Sequence, residues 1–293
     1  VPHDPSPRTR FARVRDRLEG LDFRSPLAAG LFEFLLFGFK QAWACLFGGL
    51  VLALLIATHL WWPADAPIHR YDALTIACVI IQLLMLALRL ETLAEARVIL
   101  AFHIVGTVME VFKTAAGSWA YPESALLRIG GVPLFSGFMY AAVGSYLARI
   151  WRIFGFTLPG SPPPWQPLLL AAAIYANFFL HHYGPDLRML LFAASAFIWR
   201  RTWVEFTVHR ARRRMPLVLG LTLVALFIWF AENIGTFTRT WAYPGQDGPW
   251  TMVPLAKLGA WYLLMIISFV LVARLHGAQP ALSTRRAGAL GKA

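Results

Sequence analysis

Cysteine and charged residues are both scarce in this chain. Cys45 and Cys78 are its two cysteines, and both lie within apolar runs, so the sequence indicates neither a disulfide framework nor a CxxC metal site. Charged residues make up 14% of the chain, whereas soluble domains carry about 25%. Apolar residues make up 58%, and the mean hydropathy is +0.57. This composition is typical of a polytopic helical membrane protein, because a helix satisfies its own backbone polar groups in hydrocarbon.

Long apolar runs alternate with short stretches that hold most of the charges. Their lengths predict an all-α transmembrane bundle of about eight spans. A further apolar stretch, residues 27–39, either lengthens the first helix or lies at the membrane interface. The predicted spans are 40–61, 73–91, 96–114, 133–154, 165–182, 186–204, 215–236 and 253–275.

Acidic residues are outnumbered, with Asp+Glu at 15 against Lys+Arg at 27. Most of the excess falls in segments that the eight spans place on one side of the membrane. By the positive-inside rule, this bias predicts that both termini are cytoplasmic, and it explains the net charge without a nucleic-acid partner. The Arg-rich run 200–214 is interpreted as a topology anchor that touches anionic lipid. The other side receives only Arg70, Lys113, Arg128, Arg188, Arg239 and Lys257.

The N-terminal segment is polar and Arg-rich, and it lacks the short apolar core of a cleavable signal peptide. We therefore interpret residues 1–26 as a cytoplasmic basic arm. Residues 27–277 are expected to form one transmembrane domain, followed by a cytoplasmic tail over 278–293. The predicted location is the bacterial cytoplasmic (inner) membrane.

The sequence WAYP occurs twice, and each copy follows a glutamate by the same distance. Glu110 through Pro122 aligns without a gap on Glu232 through Pro244, and a VPL motif follows each copy. The third and fourth spans therefore correspond to the seventh and eighth. We predict a tandem duplication of a four-helix unit, with halves at about 27–155 and 165–277 and an axis along the membrane normal.

The two glutamates are the strongest candidates for function. An acid inside a span costs roughly 3 kcal/mol unless it is paired or hydrated. The structural alternative pairs Glu110 with Lys113 and Glu232 with Lys257, while the WAYP aromatics serve only as interface anchors. The functional alternative places both carboxylates in one outward-facing cavity.

A second polar cluster follows the fifth span and lies at the same predicted depth. Its alternatives are a solvated turn at Gly184-Pro185 or part of the same outward cavity. His103 lies seven residues before Glu110 on the same helix face, with Gly106 between them. The cluster consists of Asn177, His181, His182, Asp186 and Arg188.

Several long motifs resemble the YoaT-like family of bacterial integral membrane proteins. They include HIVGTVMEVFKTAAGSWAYPE, LLRIGGVPLFSGFMYAAVGSY, NFFLHHYGPDLR and LFIWFAENIGTFT. The resemblance covers roughly residues 25–277; it implies a bacterial inner-membrane location and transfers no reaction. The Glu232-Asn233-Ile234-Gly235 segment and Tyr243 are also distantly similar to membrane carotenoid hydratases and lycopene cyclases, as an analogy only.

Three functions from different classes stay open on the sequence. We favour a membrane-embedded enzyme that performs acid–base chemistry on a lipid or isoprenoid; the alternatives are a transporter of a small solute or ion and a membrane metal-binding protein. Membrane lipids are the expected partners, nucleic acid is not, and the sequence leaves cofactor and oligomeric state open. The catalytic candidates are Glu110, Glu232, His103, His181 and His182. The substrate-binding candidates are Trp119, Tyr121, Arg128, Asp186, Arg188, Asn233, Trp241, Tyr243 and Lys257.

Overall fold

A computed structural model of the protein describes residues 25–246 and 248–275. The predicted basic arm up to residue 24 and the predicted tail from residue 276 lie outside the described residues. The helices within the described ranges are α1 (Pro26–Ala44), α2 (Leu46–Trp61), α3 (Arg70–Ala87), α4 (Leu93–Ala115), α5 (Phe135–Phe154), α6 (Trp165–Leu180), α7 (Arg188–Ile198), α8 (Leu217–Phe237) and α9 (Ala256–Leu275).

These helices confirm the all-α membrane class, but fewer of them than predicted have the length and hydropathy of a span. In the described part of the chain, α3, α4, α8 and α9 are long and apolar enough to cross a membrane by themselves. The pair α1 and α2 meets the same criterion together, with a bend of 70° at Cys45. Residues 27–39 therefore form part of a separate helix rather than a straight extension of the first span.

The predicted span 186–204 is wrong in its second half. Helix α7 has 11 residues, which corresponds to only about 16 Å of helix. The chain then enters an antiparallel hairpin of β3 (Trp203–Thr207) and β4 (Arg212–Pro216), in which Trp203 pairs with Pro216. The Arg-rich run is thus largely a β-hairpin, anchored where the Lys40 amine donates to the Val208 carbonyl at 2.7 Å.

Helix α5 is the centre of the bundle and contacts α1, α2, α3, α4 and α9. Its serines, glycines, tyrosines and two arginines make it less apolar than the spanning helices. Glycines let α4 and α5 approach closely: a Cβ on Gly106 would lie 2.5 Å from Tyr140, and one on Gly144 would lie 2.8 Å from Phe102. Small residues at such crossings are typical of helix packing in membranes.

Apolar side chains cover much of the outer surface of the helices. Leu83, Val108 and Phe227 are examples of large residues that are more than half exposed. In water such a surface would be unfavourable, whereas in a bilayer it faces lipid. The surface agrees with the membrane assignment drawn from composition.

A short hairpin precedes α5, with β1 (Arg128–Ile129) paired to β2 (Val132–Pro133). Gly130 and Gly131 form its turn with positive φ angles of 57° and 83°, a conformation that favours glycine. This hairpin and the chain segment before it lie at the end of the bundle where α4, α6 and α8 terminate.

Candidate functional site at the paired WAYP segments

The two WAYP segments lie side by side and pair through their backbones. The Ala120 amide donates to the Ala242 carbonyl at 2.9 Å, and the Ala242 amide donates to the Ala120 carbonyl at the same distance. This exchange is that of an antiparallel pair, which places Ala120 directly opposite Ala242 and brings Trp119 of the first copy beside Tyr243 of the second. The two copies of the motif therefore form one structural unit rather than two separate interface anchors.

Glu110 is bound by the aromatic residues of its own copy. The indole Nε1 of Trp119 donates to its Oε2 at 2.6 Å, and the hydroxyl of Tyr121 donates to the same oxygen at 2.7 Å. Tyr140 on α5 donates to Oε1 at 2.8 Å. The side chain is 4% exposed. Burial and the Glu110 carboxylate hold the pKa of Tyr121 well above its usual range, so this phenol keeps its proton and acts as a donor.

Glu232 has the same partners in the second copy. Trp241 Nε1 donates to its Oε1 at 3.0 Å, and the hydroxyl of Tyr243 donates to the same oxygen. The glutamate is 5% exposed. The Trp241 ring packs on Gly235 one turn above, where a Cβ would lie 1.8 Å from the ring. Each WAYP motif thus closes onto its own glutamate with one indole and one phenol.

Two further aromatic residues complete the cluster, and the sequence prediction missed both. Tyr140 contacts Glu110, and the Trp261 indole on α9 lies beside the Glu232 carboxylate. The two rings are 6.1 Å apart. The same offset that aligns Val132 with Val253 also aligns Tyr140 with Trp261, and this spacing is the signal that identifies them.

Lys257 joins the two copies but does not pair with a carboxylate. Its Nζ lies 3.8 Å from the centre of the Tyr243 ring and 5.4 Å from that of Trp119, and these two rings stack edge to face at 6.2 Å. Among the described residues, no ion pair within 4 Å links Lys257 or Lys113 to Glu110 or Glu232. The predicted lysine–glutamate pairs therefore do not form. Within this site, aromatic side chains donate hydrogen bonds to both carboxylates instead.

Lys113 turns toward the two histidines. Its Nζ lies 2.9 Å from His182 Nε2 and 3.4 Å from His181 Nε2. The two imidazoles have centroids 4.3 Å apart. Burial, followed by the charges of Lys113 and His181, lowers the pKa of His182. The histidines thus contact Lys113 and not the carboxylates with which the sequence placed them in one outward cavity.

The remaining polar residues of this loop are held by one another. Arg188 forms an ion pair with Asp186 at 2.8 Å, and Asp186 accepts a hydrogen bond from Asn177 at 3.2 Å. The Asn177 amide oxygen in turn accepts the Leu187 amide at 2.9 Å. This network fixes the turn between α6 and α7 beside the Lys113–histidine group.

Three predicted site residues lie apart from the carboxylates. His103 packs between α4 and α5, with its ring 4.5 Å from that of Phe138. Asn233 accepts the Val253 amide at 2.9 Å and so fixes the start of the VPL segment. Arg128 is exposed in the β1–β2 hairpin. Among the described residues, none of these three side chains forms a hydrogen bond or an ion pair with the carboxylate of Glu110 or Glu232.

The first turn of α3 binds both WAYP segments, which sequence reasoning did not foresee. Arg70 forms an ion pair with Glu123 at 2.6 Å and donates to the Thr240 hydroxyl at 2.8 Å. The Tyr71 hydroxyl donates to the Thr240 carbonyl at 2.8 Å. Asp72 accepts the backbone amides of residues 126 and 127. Helix α3 therefore fixes the position of the paired loops through these contacts.

An apolar crevice reaches this cluster from the membrane core. It has a volume of about 30 Å³ and lies between α4, α5, α8 and α9, with Gly106, Met109, Tyr140 and Trp261 among its lining residues. A separate polar pocket of about 520 Å³ lies behind the Arg70–Glu123 pair and includes His59 and His69. The described residues bring no three His, Cys, Asp or Glu side chains together in a group suited to a metal ion.

Comparison with known sequences identifies the family. The profile of DUF817, described as a protein of unknown function, matches residues 33–269. The chain belongs to the DUF817 family. A relative is YoaT of Bacillus subtilis (strain 168), described as uncharacterized, which is 46% identical over 239 residues covering 82% of this chain and 90% of YoaT. These findings confirm the resemblance seen in the motifs.

Among solved structures, two crystal structures of MvINS, an Insig homologue from Mycobacterium vanbaalenii, are similar to this chain. One of them is a cross-linked trimer. In both cases the identity is 16%, the TM-score is 0.44, and the match covers 66% of this chain and 98% of the other.

Proposed function

We propose that this DUF817 protein is a membrane-embedded enzyme that performs acid–base chemistry on an apolar lipid or isoprenoid. The observation that carries the proposal is the pair of buried glutamates, each held by the same Trp and Tyr donors at the end of an apolar crevice. Intramembrane acids are costly, and those that persist usually serve a function. Two acids in matching environments supply an acid and a base.

The charges of the cluster require a proton. Glu110 and Glu232 lie within each other's electrostatic field, and Lys257 is the cation that lies between their aromatic partners. With both acids ionised, these three groups carry a net negative charge in a buried site. One added proton makes the group neutral, which costs less in a medium of low dielectric constant. This charge balance favours one added proton on the acids, which would be available for transfer to or from a bound molecule.

The crevice defines where that molecule lies. Apart from Ser268, its lining is apolar except at the end formed by Tyr140 and Trp261, which contact the two carboxylates. At about 30 Å³ the crevice has room for roughly one methylene group, so the hydrocarbon tail would lie along the lipid-facing surface of the helices while the reacting end meets the acids through the crevice. Both glutamates are five residues from the ends of their helices, about 8 Å. This position favours an enzyme open to one leaflet over a transporter, whose site lies near the midplane.

The shared geometry also supports the predicted duplication. Glu, Trp and Tyr occupy equivalent positions in both copies, and α4 packs on α5 as α8 packs on α9. Tyr140 and Trp261 extend the correspondence into the second helix of each pair. The bound molecule would then lie near the axis that relates the two halves.

The proposal is tested with substitutions that preserve shape. In Glu110→Gln, the amide oxygen accepts the hydrogen bonds from Trp119 and Tyr121. The amide nitrogen donates a hydrogen bond to the Tyr140 hydroxyl, so the fold is retained. Purified wild-type protein is incubated with total lipid extract from bacterial membranes, and mass spectrometry follows each species. We expect one lipid or isoprenoid to be converted by the wild type and left unchanged by Glu110→Gln and by Glu232→Gln.

Glu91→Gln is the matched control. Glu91 is also a buried glutamate, bound by Gln82 and Ser145 at the other end of the bundle. The Glu91→Gln variant should convert the same lipid or isoprenoid at the wild-type rate. Conversion that survives in both cluster variants would refute the proposal, as would a wild type that consumes no lipid. Cluster variants that fail to fold would assign the glutamates a structural role.

A further inference from the structure

Five basic side chains converge at the end of the bundle that carries the WAYP segments. We call them the basic cluster: Lys113, His181, His182, Arg188 and Lys257. Lys113 contacts both histidines. Arg188 lies within electrostatic range of both lysines, and the lysines lie within range of each other. The cluster is built from four separate parts of the chain, so the fold and not local sequence brings it together.

This positive charge is only partly compensated by the protein: the fields of Glu110 and Glu232 reach Lys257, and that of Asp186 reaches Lys113. Within the described residues, Asp186 is the one carboxylate that forms an ion pair with the cluster, and it binds Arg188. Lys113 is 4% exposed, and its polar neighbours are two imidazoles. A buried ammonium group without a direct ion pair is expensive. The arrangement therefore favours binding of an anion.

The glutamates do not supply that anion. Glu110 accepts three hydrogen bonds from Trp119, Tyr121 and Tyr140, and Glu232 accepts from Trp241 and Tyr243. Lys257 contacts the faces of two of these rings and makes no ion pair within 4 Å with either acid. Its ammonium protons stay available to a further acceptor.

Access to the cluster comes from the aqueous side. His182 is exposed, and His181 and Arg188 are partly exposed. Lys257, in contrast, touches the rings of Trp119 and Tyr243 that bind the two acids. The cluster thus extends from the surface to the aromatic rings that bind the carboxylates.

We propose that the basic cluster binds the phosphate headgroup of a lipid whose hydrocarbon tail lies against the lipid-facing surface of the helices. Phosphate oxygens accept several charge-assisted hydrogen bonds at once, which suits convergent lysine, arginine and imidazole donors. The proposal rests on the proposed function and names its substrate class: an anionic lipid phosphate rather than a neutral lipid. Free inorganic phosphate has the same headgroup chemistry, and the experiment separates the two sources.

The test measures binding in detergent by native mass spectrometry, with three probes: dioleoyl phosphatidic acid, dioleoylglycerol and inorganic phosphate. Wild-type protein should bind phosphatidic acid about tenfold more tightly than dioleoylglycerol, since only the former offers charge-assisted contacts. Lys113→Met should weaken phosphatidic acid binding by about tenfold and leave dioleoylglycerol binding unchanged. The double variant His181→Gln, His182→Gln provides the same test at exposed positions if Lys113→Met fails to fold.

Arg239→Gln is the control, since Arg239 is an exposed cation at the same end and makes only a 3.4 Å contact with the Gly248 carbonyl. It should bind phosphatidic acid as the wild type does. Equal binding of phosphatidic acid and dioleoylglycerol would overturn the proposal. Inorganic phosphate that binds as tightly as phosphatidic acid would overturn the lipid assignment. Because this assay needs no catalysis, Glu232→Gln should still bind the probe. Retained binding with no conversion by the wild type would refute the proposed function alone.

Discussion

At the scale of single residues, the site shows how a membrane protein tolerates two buried carboxylates. Each acid accepts from an indole and a phenol of its own WAYP motif, and these donors are rigid and largely apolar. A Trp or Tyr satisfies a carboxylate oxygen without adding a second buried charge. The aromatic residues therefore bind the acids, which is a stronger role than anchoring at the interface.

Removing one phenol hydroxyl should show how much its hydrogen bond to the carboxylate stabilises the fold. Tyr121→Phe and Tyr243→Phe each delete one hydrogen bond to a buried carboxylate, a loss of about 1.5–3 kcal/mol in the free energy of unfolding. Thermal unfolding in detergent measures the change. Tyr183→Phe is the control, because Tyr183 is 80% exposed and should unfold at the wild-type temperature. Equal unfolding temperatures for all three variants would mean that water replaces the phenols and that the motif is not a structural unit.

The sequence predicted the principal acids but not all of their partners. Glu110 and Glu232 stand out because an acid in an apolar run is rare and a repeat makes chance improbable. The bonds from Trp119 and Trp241 depend on how the chain folds back over nine residues, and no local pattern encodes that path. Tyr140 and Trp261 are different, since the repeat offset identifies them once it is extended beyond VPL.

At the scale of elements, close approach at glycines sets the geometry of the site. Helix α8 can hold the Trp241 ring against its backbone only because Gly235 has no side chain. Helices α4 and α5 meet in the same way through Gly106 and Tyr140, whose hydroxyl reaches Glu110. Small residues on these helices therefore position the donors that bind the acids.

Gly235→Ala should displace Trp241 from Glu232. The added Cβ would lie 1.8 Å from the ring, so the ring must move, at a cost of about 1–3 kcal/mol for overpacking. The free energy of unfolding and the Trp fluorescence report the change together.

Gly49→Ala is the matched control: Gly49 is also helical, but a Cβ added there would meet no neighbour within 4 Å. It should gain up to about 1 kcal/mol from helix propensity. A Gly235→Ala variant as stable as this control would show that the ring packing is loose.

Element type was predictable where hydropathy alone decides it. Helices α4, α8 and α9 match their predicted spans closely because long apolar runs leave few other structures in a membrane. The span predicted over 186–204 failed at its C-terminal end because the residues from Trp203 onward alternate instead. Val204, Phe206 and Val208 are buried, while Trp203 and Thr207 are exposed, a period of two that indicates a strand. A length criterion applied without periodicity overlooks this hairpin.

At the scale of the whole molecule, the two ends of the bundle differ in chemistry. One end carries the Arg-rich β3–β4 hairpin together with Arg149 and Arg152 near the end of α5. The other carries the paired WAYP segments and the basic cluster, whose charges converge beside the WAYP segments. Such asymmetry is expected when the arginine-rich end faces the cytoplasm.

This asymmetry predicts that the WAYP end faces outward, with both termini inside. Ser124 is exposed and Gln246 is partly exposed at the WAYP end, and Ser161 is exposed between α5 and α6 at the opposite end. Single cysteines are placed at these positions in a background where Cys45 and Cys78 are replaced by alanine. A membrane-impermeant maleimide on intact cells should label Ser124→Cys and Gln246→Cys. Ser161→Cys should react only after the membrane is permeabilised, because the positive-inside bias places that loop in the cytoplasm.

Labelling of Ser161→Cys on intact cells would invert the topology and move the basic cluster to the inner leaflet. If Ser124→Cys and Gln246→Cys were labelled from opposite sides, the paired arrangement of the WAYP segments would itself be wrong, since both belong to one hydrogen-bonded unit.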